Sequence, residues 1–248
     1  MSNLKNIDAS TGDREAALEK LFAKMPSELS VNVDLPSRGK FYSNYTGATV
    51  SPLTFEDEQR ILVSRNKQID PISELISKCV RGVNTPELIP QDKLWLLFKI
   101  REVSYGSDYE FPIICPACTK NVDSNIDIST LPINGFPDDF EDVREIKLPI
   151  LKVTAKVRLP RQSDEVFLDP EATVSNLKRF TVELDGSNDP VFISAALDRM
   201  HIRDHKKIRS NIFLDQYGAE TKFQFECPYC KHGSVMAIPF SINFFLAN

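Results

Sequence analysis

The sequence predicts an α+β fold built from two duplicated helix-plus-β-hairpin units, joined by one shared four-cysteine site of zinc-ribbon type. Three observations carry that prediction. The hydrophobic period changes from helical to alternating near Gly106. The segment Asp92–Ile126 aligns without a gap to Asp204–Ile238. A Cys-Pro-x-Cys sequence stands near the end of each aligned segment.

Composition bounds the possibilities first. At roughly 100–200 residues per domain, 248 residues allow one large domain or two small ones. A hydrophobic fraction of 42% with 26% charged residues excludes a wholly disordered, collagen-like or membrane-embedded chain. Thirty basic against 35 acidic residues give a net charge of −5, against the basic face that coating DNA or RNA requires. The compact apolar runs, Leu94–Phe98 and Val191–Ile193, fall far short of the ~18–20 residues that span a bilayer. Met1–Lys5 lacks an apolar stretch, so no secretory signal and a reducing compartment are expected. Five cysteines there point to thiols or metal ligands rather than disulfides.

Along the chain, residues 1–30 read as a mobile N-terminus and an amphipathic helix with Leu18, Leu21, Phe22 and Met25 at helical spacing, ended by Pro26. Packing on its own domain is the simpler use of that helix, and docking to a partner the alternative. Residues 31–131 form the first repeat. Val31 and Val33 alternate with polar residues, and Pro36 with Gly39 keeps Leu35–Tyr42 from being helical throughout. Thr54 and Asp57 have capping-box spacing ahead of a helix over about 55–65, with Phe55, Ile61 and Leu62 inward. Ile72, Leu75, Ile76 and Cys79 mark a second helix, and Leu94, Leu97, Phe98 and Arg101 a third. Pro90 stands at the start of the third and Gly106 just past its end. A strand follows with Phe111, Ile113 and Cys115 on one face, returning through Val122, Ile126 and Ile128. Residues 132–147, rich in Pro, Gly and acids, read as a linker, and 148–248 as the second repeat.

The alignment pairs Asp92 with Asp204, Ile100 with Ile212, Tyr105-Gly106 with Tyr217-Gly218, Phe111 with Phe223 and Ile126 with Ile238. Upstream the offset is shorter, pairing Val50 with Val157 and Asp57-Glu58 with Asp164-Glu165, which implies a loop insertion. Fixed-offset similarity reports a repeated supersecondary unit, and two copies favour a pseudo-two-fold arrangement over a solenoid.

The cysteines carry the most specific chemistry. A Cys-x-x-Cys turn puts two sulfurs on one side of a knuckle, and Cys115, Cys118, Cys227 and Cys230 together make a tetrahedral S₄ set. Soft thiolates in that array favour zinc or iron over magnesium or calcium. With no ligand position left for water, the ion is expected to be structural Zn²⁺. A four-cysteine iron–sulfur cluster lacks its closely spaced cysteine run, and a redox CxxC lacks a thioredoxin-like βαβ setting. His232 is read as a bystander and Cys79 as a small core residue. His201 and His205 lack a metalloprotease framework, and the Arg and Lys residues around them read as a solvated face or a docking surface for an acidic partner.

No phosphate loop, dinucleotide fingerprint or nucleophile elbow is present, and nine glycines leave little for ligand cradles. Three histidines offer no acid–base constellation. The chain is therefore expected not to be an enzyme. The competing class is a zinc-ribbon nucleic-acid-binding or regulatory protein, which the acidic balance and scarce aromatic–basic interleaving disfavour.

The order Leu35-Pro36-Ser37-Arg38-Gly39-Lys40-Phe41-Tyr42, Leu53-Thr54-Phe55-Glu56-Asp57-Glu58, Asp92 with a Leu-rich helix and Ile100-Arg101, then Ser104-Tyr105-Gly106 and Cys115-Pro116-Ala117-Cys118, resembles the baseplate-hub assembly proteins of T4-type contractile-tailed bacteriophages. The resemblance covers about residues 30–130 directly and the second half through the repeat. It implies a non-enzymatic assembly factor that promotes formation of the central baseplate hub, in the host cytoplasm, through contacts with phage hub proteins. Membranes, nucleic acid and small-molecule substrates are not expected partners. Leu35, Pro36, Arg38, Phe41 and Tyr42 are the candidate contact strip, since Arg and aromatic residues are favoured at interface centres; closure of the local core is the competing role for Phe41 and Tyr42.

Overall fold

In the computed structural model, residues 11–22, 29–64, 71–168, 173–240 and 242–245 are described. Met25 and Pro26 lie outside them. Helix α1 (Thr11–Phe22) leaves Leu18 and Leu21 more than half exposed, so these two side chains do not pack it onto its own domain.

The first copy opens with β1 (Val31–Val33) and β2 (Ala48–Val50), followed by α2 (Phe55–Ser64), α3 (Pro71–Cys79) and β3 (Val80–Arg81). The three strands form an antiparallel sheet in chain order. The capping box forms as the spacing predicts: Thr54 N–H donates to Asp57 at 2.8 Å and Asp57 N–H to Thr54 Oγ1 at 3.4 Å. On α2, Ile61 is buried, but Phe55 is 75% exposed and Leu62 also reaches solvent. The helical spacing predicts both of them inward. Phe55 is the first residue of the helix, where no neighbouring turn covers it.

The long α4 (Pro90–Tyr105) starts on its proline and ends at Gly106, whose φ of 92° a side chain would disfavour. It is buried on nearly every side, with Trp95, Leu96, Leu97, Phe98 and Ile100 in the core. The hairpin of β4 (Asp108–Ile114) and β5 (Asn121–Asp127) follows, pairing Ile114 with Asn121. Phe111, Ile113 and Cys115 face inward and Glu110 and Ile114 outward.

The stretch 132–147, expected as a linker, is instead built into the fold. It contains β6 (Ile133–Asn134) and β7 (Arg144–Lys147). Phe136 is 1% exposed, with its ring centroid 4.5 Å from that of Tyr217. Two of the acids that suggested solvent are ion partners: Asp138, itself still exposed, pairs with Arg38 at 2.6 Å, and Asp142 with Arg161.

In the second copy, β7, β8 (Thr154–Val157) and β9 (Thr181–Leu184) repeat the three-stranded antiparallel sheet in the same order. A 3-10 turn, Gln162–Phe167, stands where α2 was, and α5 (Thr173–Phe180) where α3 was. Helix α6 (Pro190–Arg199) is an addition; the first copy has only the 3-10 turn Thr85–Glu87 at that point. Then come α7 (Ile202–Ile212), the counterpart of α4; β10 (Gly218–Ala219), which pairs with β6; and the hairpin of β11 (Lys222–Glu226) and β12 (Gly233–Ala237).

The duplication therefore runs further than the aligned segment. Leu35-Pro36 and Leu148-Pro149 each open a turn after the first strand of their sheet, closed three residues on by Arg38 N–H in the first copy and four residues on by Lys152 N–H in the second. In each, a buried carboxylate from the first turn of the later helix accepts backbone N–H groups. Asp92 takes Ser37 N–H at 2.9 Å, and Asp204 takes Ile150 N–H at 2.8 Å and Leu151 N–H at 3.0 Å.

The hydrophobic interior divides unequally. One core gathers β1–β3, α3 and α4 together with Phe225, Cys227, Ile238, Phe244 and Phe245 from the far end of the chain. The other is confined to the second copy, around Leu148, Val157, Leu177, Phe180, Leu197, Ile208 and Ile212.

Candidate metal centre

Each Cys-x-x-Cys sits in the bend of a hairpin. In the first, Thr119 N–H donates to Cys115 C=O at 2.9 Å and Cys115 N–H to Lys120 C=O at 3.0 Å. In the second, Lys231 N–H donates to Cys227 C=O and Cys227 N–H to His232 C=O at the same two distances. Thr119 and Lys231, at equivalent places in the two knuckles, both adopt left-handed φ values, 58° and 59°. The backbone thus repeats residue by residue where the sulfurs are presented.

The two knuckles face each other. Cys115 Sγ lies 3.7 Å from Cys230 Sγ, and Cys118 Sγ lies 3.7 Å from Cys227 Sγ. All four sulfurs fall within 4.8 Å of one another. The pairing is reciprocal, the first cysteine of each knuckle against the second of the other, as a local two-fold requires. A disulfide needs about 2.05 Å, and all five cysteines are free thiols. Four sulfurs held about 2.3 Å from one tetrahedral ion stand about 3.8 Å apart. The geometry therefore fits a single metal ion with an all-sulfur shell. Cys115 and Cys227 are fully buried, Cys118 is half-buried and Cys230 is at the rim.

The clustered thiols divide unevenly: against the His232 N–H, burial and the hydrogen bonds with Cys118, Cys227 and Cys115 push Cys230 up to about 12, while Cys227 goes down. Burial pushes the Cys227 thiol up, but the N–H groups of Cys230 and Tyr229, with the neighbouring thiols of Cys230 and Cys115, outweigh that and bring it to about 6. The fifth cysteine behaves otherwise. Cys79 is 2% exposed, and burial, with Asp57 nearby, pushes it up to about 11. It is an inert core thiol, as its helical spacing predicts.

The contact strip is corrected by the structure. Leu35, Pro36 and Tyr42 are buried, and Phe41 is half-buried. The Tyr42 hydroxyl donates to the buried carboxylate of Asp92 and accepts Ile89 N–H at 3.2 Å. Phe41 packs edge-on against Phe136 at 5.2 Å. Only Arg38 projects, tied to Phe136 C=O at 2.7 Å and to Asp138. The strip is a staple closing the first core, because its loop is longer than the corresponding loop of the second copy and folds back over α4. Gly39 (φ 76°) makes this possible: a Cβ there would meet the Tyr45 ring at 2.0 Å.

Fold and site together define a class: a duplicated α+β protein whose two halves meet at one four-cysteine centre. The chain belongs to the family described as T4 bacteriophage base plate protein, which matches residues 11–246. No curated protein and no solved structure matches it. No helix among the described residues is long and apolar enough to cross a membrane.

Proposed function

We propose that the protein is a non-enzymatic assembly factor that promotes formation of the central hub of the phage tail baseplate, acting in the host cytoplasm through contacts with hub proteins. One structural Zn²⁺ at Cys115, Cys118, Cys227 and Cys230 holds it rigid. Family membership supports a baseplate role, and the observation that carries the mechanism is the reciprocal 3.7 Å sulfur pairing. Four protein ligands leave a tetrahedral ion no position for water or substrate, so such an ion stiffens rather than catalyses. A stiff surface binds partners with less ordering cost than a loose one.

With the Leu35–Tyr42 strip in the core, the knuckles themselves are the better contact. Ile114 and Tyr229 are 64% and 60% exposed beside the sulfurs, and Lys120 Nζ lies 4.5 Å from the Tyr229 ring centroid. Exposed aromatic and aliphatic side chains on a rigid support are typical interface anchors.

The test is co-expression with the baseplate hub proteins, followed by metal analysis and sizing of the complexes. One zinc per chain is expected, with hub complexes forming in its presence. Tyr229→Asp is expected to keep the zinc and lose the complexes. Hub complexes that form equally well without the chain would rule the proposal out.

A further inference from the structure

Cations gather at the end of α6 and along α7. Arg199, Arg203, Lys206, Lys207 and Arg209 are all exposed, and among the described residues none of them forms an ion pair. The two acids of the same stretch are engaged elsewhere. Asp198 pairs with Lys178 at 2.8 Å, and Asp204 is buried against the N–H groups of Ile150 and Leu151. Arg203 and Lys207 stand four residues apart, and Lys206 stands three from both Arg203 and Arg209. At those spacings like charges repel on a helix surface. Nothing inside the molecule offsets that repulsion, whereas Lys156 and Arg158 on the neighbouring sheet are paired with Glu183 and Asp164.

The duplication gives this face a precedent. At the offset that aligns the two halves, Lys206, Lys207, Arg209 and Ser210 correspond to Leu94, Trp95, Leu97 and Phe98 of α4. In the first copy that face is closed. Trp95, Leu97 and Phe98 are buried, and Phe98 meets the rings of Phe244 at 5.2 Å and Phe240 at 6.2 Å. In the second copy the corresponding positions are exposed, and they carry three cations and a serine. The fold therefore seats a covering segment on this helix face once within the chain. The second seat stands uncovered, with its chemistry changed from apolar to basic.

The seat keeps apolar anchors. Ile202, 73% exposed, shares a stripe with Lys206 and Arg209 at i, i+4, i+7. Further along the same stripe Phe213, half-buried, joins Lys206, Arg209, Ser210, Asp215 and Gln216 around a depression of about 650 Å³. Asp215, the acid among them, forms no ion pair with either cation.

We propose that this face docks an acidic segment of a partner protein, with apolar side chains set at helical spacing among its carboxylates. Glu or Asp side chains of the segment meet Arg203, Lys206, Lys207 and Arg209, which fix its orientation and speed its capture. Its apolar side chains cover Ile202 and Phe213, which supply the buried anchor. A nucleic acid would satisfy the cations but leave Ile202 unused, and the net charge of −5 repels a long polyanion from the rest of the surface.

Fluorescence anisotropy of the purified full chain tests this with no hub protein present, so a failure here leaves the hub reading standing. The probe is a fluorescein-labelled peptide of about 15 residues, built from Glu and Ala with Leu at helical spacing. It is expected to bind with a Kd on the order of 10 μM at low salt and several-fold more weakly in about 0.5 M salt. Lys206→Glu should weaken binding about tenfold and Ile202→Ser about fivefold. Lys222→Glu, the same reversal of charge on β11, should leave it as in the wild type. All three positions are exposed, so circular dichroism should not change. The same peptide with Gln for Glu, or with Ala for Leu, should bind at least about tenfold more weakly. The proposal is overturned by a probe that does not bind, by equal weakening in Lys206→Glu and Lys222→Glu, by an Ala-for-Leu peptide that binds as well, or by tighter binding of a duplex DNA of about 20 base pairs.

Discussion

In the first copy, α4 lies beneath material from the whole chain: its own hairpin, residues of the second hairpin and the C-terminal turn Ile242–Phe245 all join its core. In the second copy, the buried residues of α7, Ile208 and Ile212, share a core with the sheet and helices of their own unit. The same supersecondary plan thus yields a composite core once and a self-contained core once. The cause is where the hairpins go. Arg101 reaches across to Phe244 C=O at 2.8 Å, Tyr105 OH to Phe245 C=O at 2.9 Å, and Tyr109 OH to Pro239 C=O at 3.2 Å. These bonds draw the end of the second copy onto the first, and the sulfurs meet as a result.

The difference predicts an uneven response to metal removal, the largest effect expected. Zinc binding to structural cysteine sites carries an apparent free energy of about 10–16 kcal/mol at neutral pH. Cys118 and Cys227 are 109 residues apart, and closing a loop of that size is worth about 5 kcal/mol in chain entropy alone. A chelator, or Cys118→Ser with Cys227→Ser, should lower the melting temperature by about 10–20 °C. Amide exchange should show the hairpins and α4 losing protection first, while Ile208, Ile212 and Leu197 keep theirs. Equal loss in both cores would mean that the chain is a single cooperative unit.

Next in size is a pair of aromatic truncations. Phe244 and Phe180 are both fully buried, one in each core. Phe→Ala at either should cost about 3–5 kcal/mol. The locations should differ: Phe244→Ala loosens the hairpin pair through Phe98 and Tyr109, which it meets edge-on at 5.2 and 4.8 Å, whereas Phe180→Ala leaves the metal centre intact. Retention of the bound metal during urea titration distinguishes the two.

Much of this plan was legible in the residues. The capping box at Thr54, the proline and glycine bracketing α4, the strand alternation into Cys115 and the four-cysteine set all rest on local spacing, and local spacing survives into the fold. What depends on distant partners did not show. Asp138 and Asp142 suggested a solvated linker because their partners, Arg38 and Arg161, come from two separate stretches of the chain. Tyr42 and Phe41 suggested an interface because nothing in Leu35–Tyr42 announces the buried Asp92 or the Phe136 ring that receive them. The upstream half of the duplication was faint, since loops of different length and the added α6 break the offset. Val50 against Val157 and Asp57-Glu58 against Asp164-Glu165 showed it in part, and Leu35-Pro36 against Leu148-Pro149 would have extended it.

The paired carboxylates sharpen the comparison on a smaller scale. Asp92 holds Ser37 through its N–H and hydroxyl and also the Tyr42 hydroxyl, whereas Asp204 holds only two backbone N–H groups. Removing a buried acceptor leaves each donor unsatisfied. Asp92→Ala should therefore cost about 3 kcal/mol and Asp204→Ala about 2 kcal/mol, read from urea midpoints.

Acid provides the finest contrast. Burial pushes Asp164 up, but Arg158 (2.8 Å to each oxygen), Arg161 N–H (2.8 Å) and Arg179 (2.9 Å) outweigh it and hold the carboxyl at about 2. Its first-copy counterpart Asp57 is also lowered, against its own burial, by Lys78 and Thr54. A carboxyl depressed by folding stabilises fully above its unfolded value of 3.8, and that stability is lost as pH falls toward the folded value. Asp92 runs the other way. Burial outweighs the bonds from Ser37 and Tyr42 and raises it, so its charge costs stability as pH climbs above 3.8. Between pH 4 and pH 2 the Asp164 cluster should thus lose on the order of 1–2 kcal/mol, allowing for solvent screening of Arg179. Asp164→Asn should flatten the acid limb of the urea midpoint by about that amount, and Asp57→Asn by less. An equal flattening by both would mean that three arginine-side donors hold a carboxylate no better than one lysine and a threonine, and the asymmetry between the two copies would end at their cores.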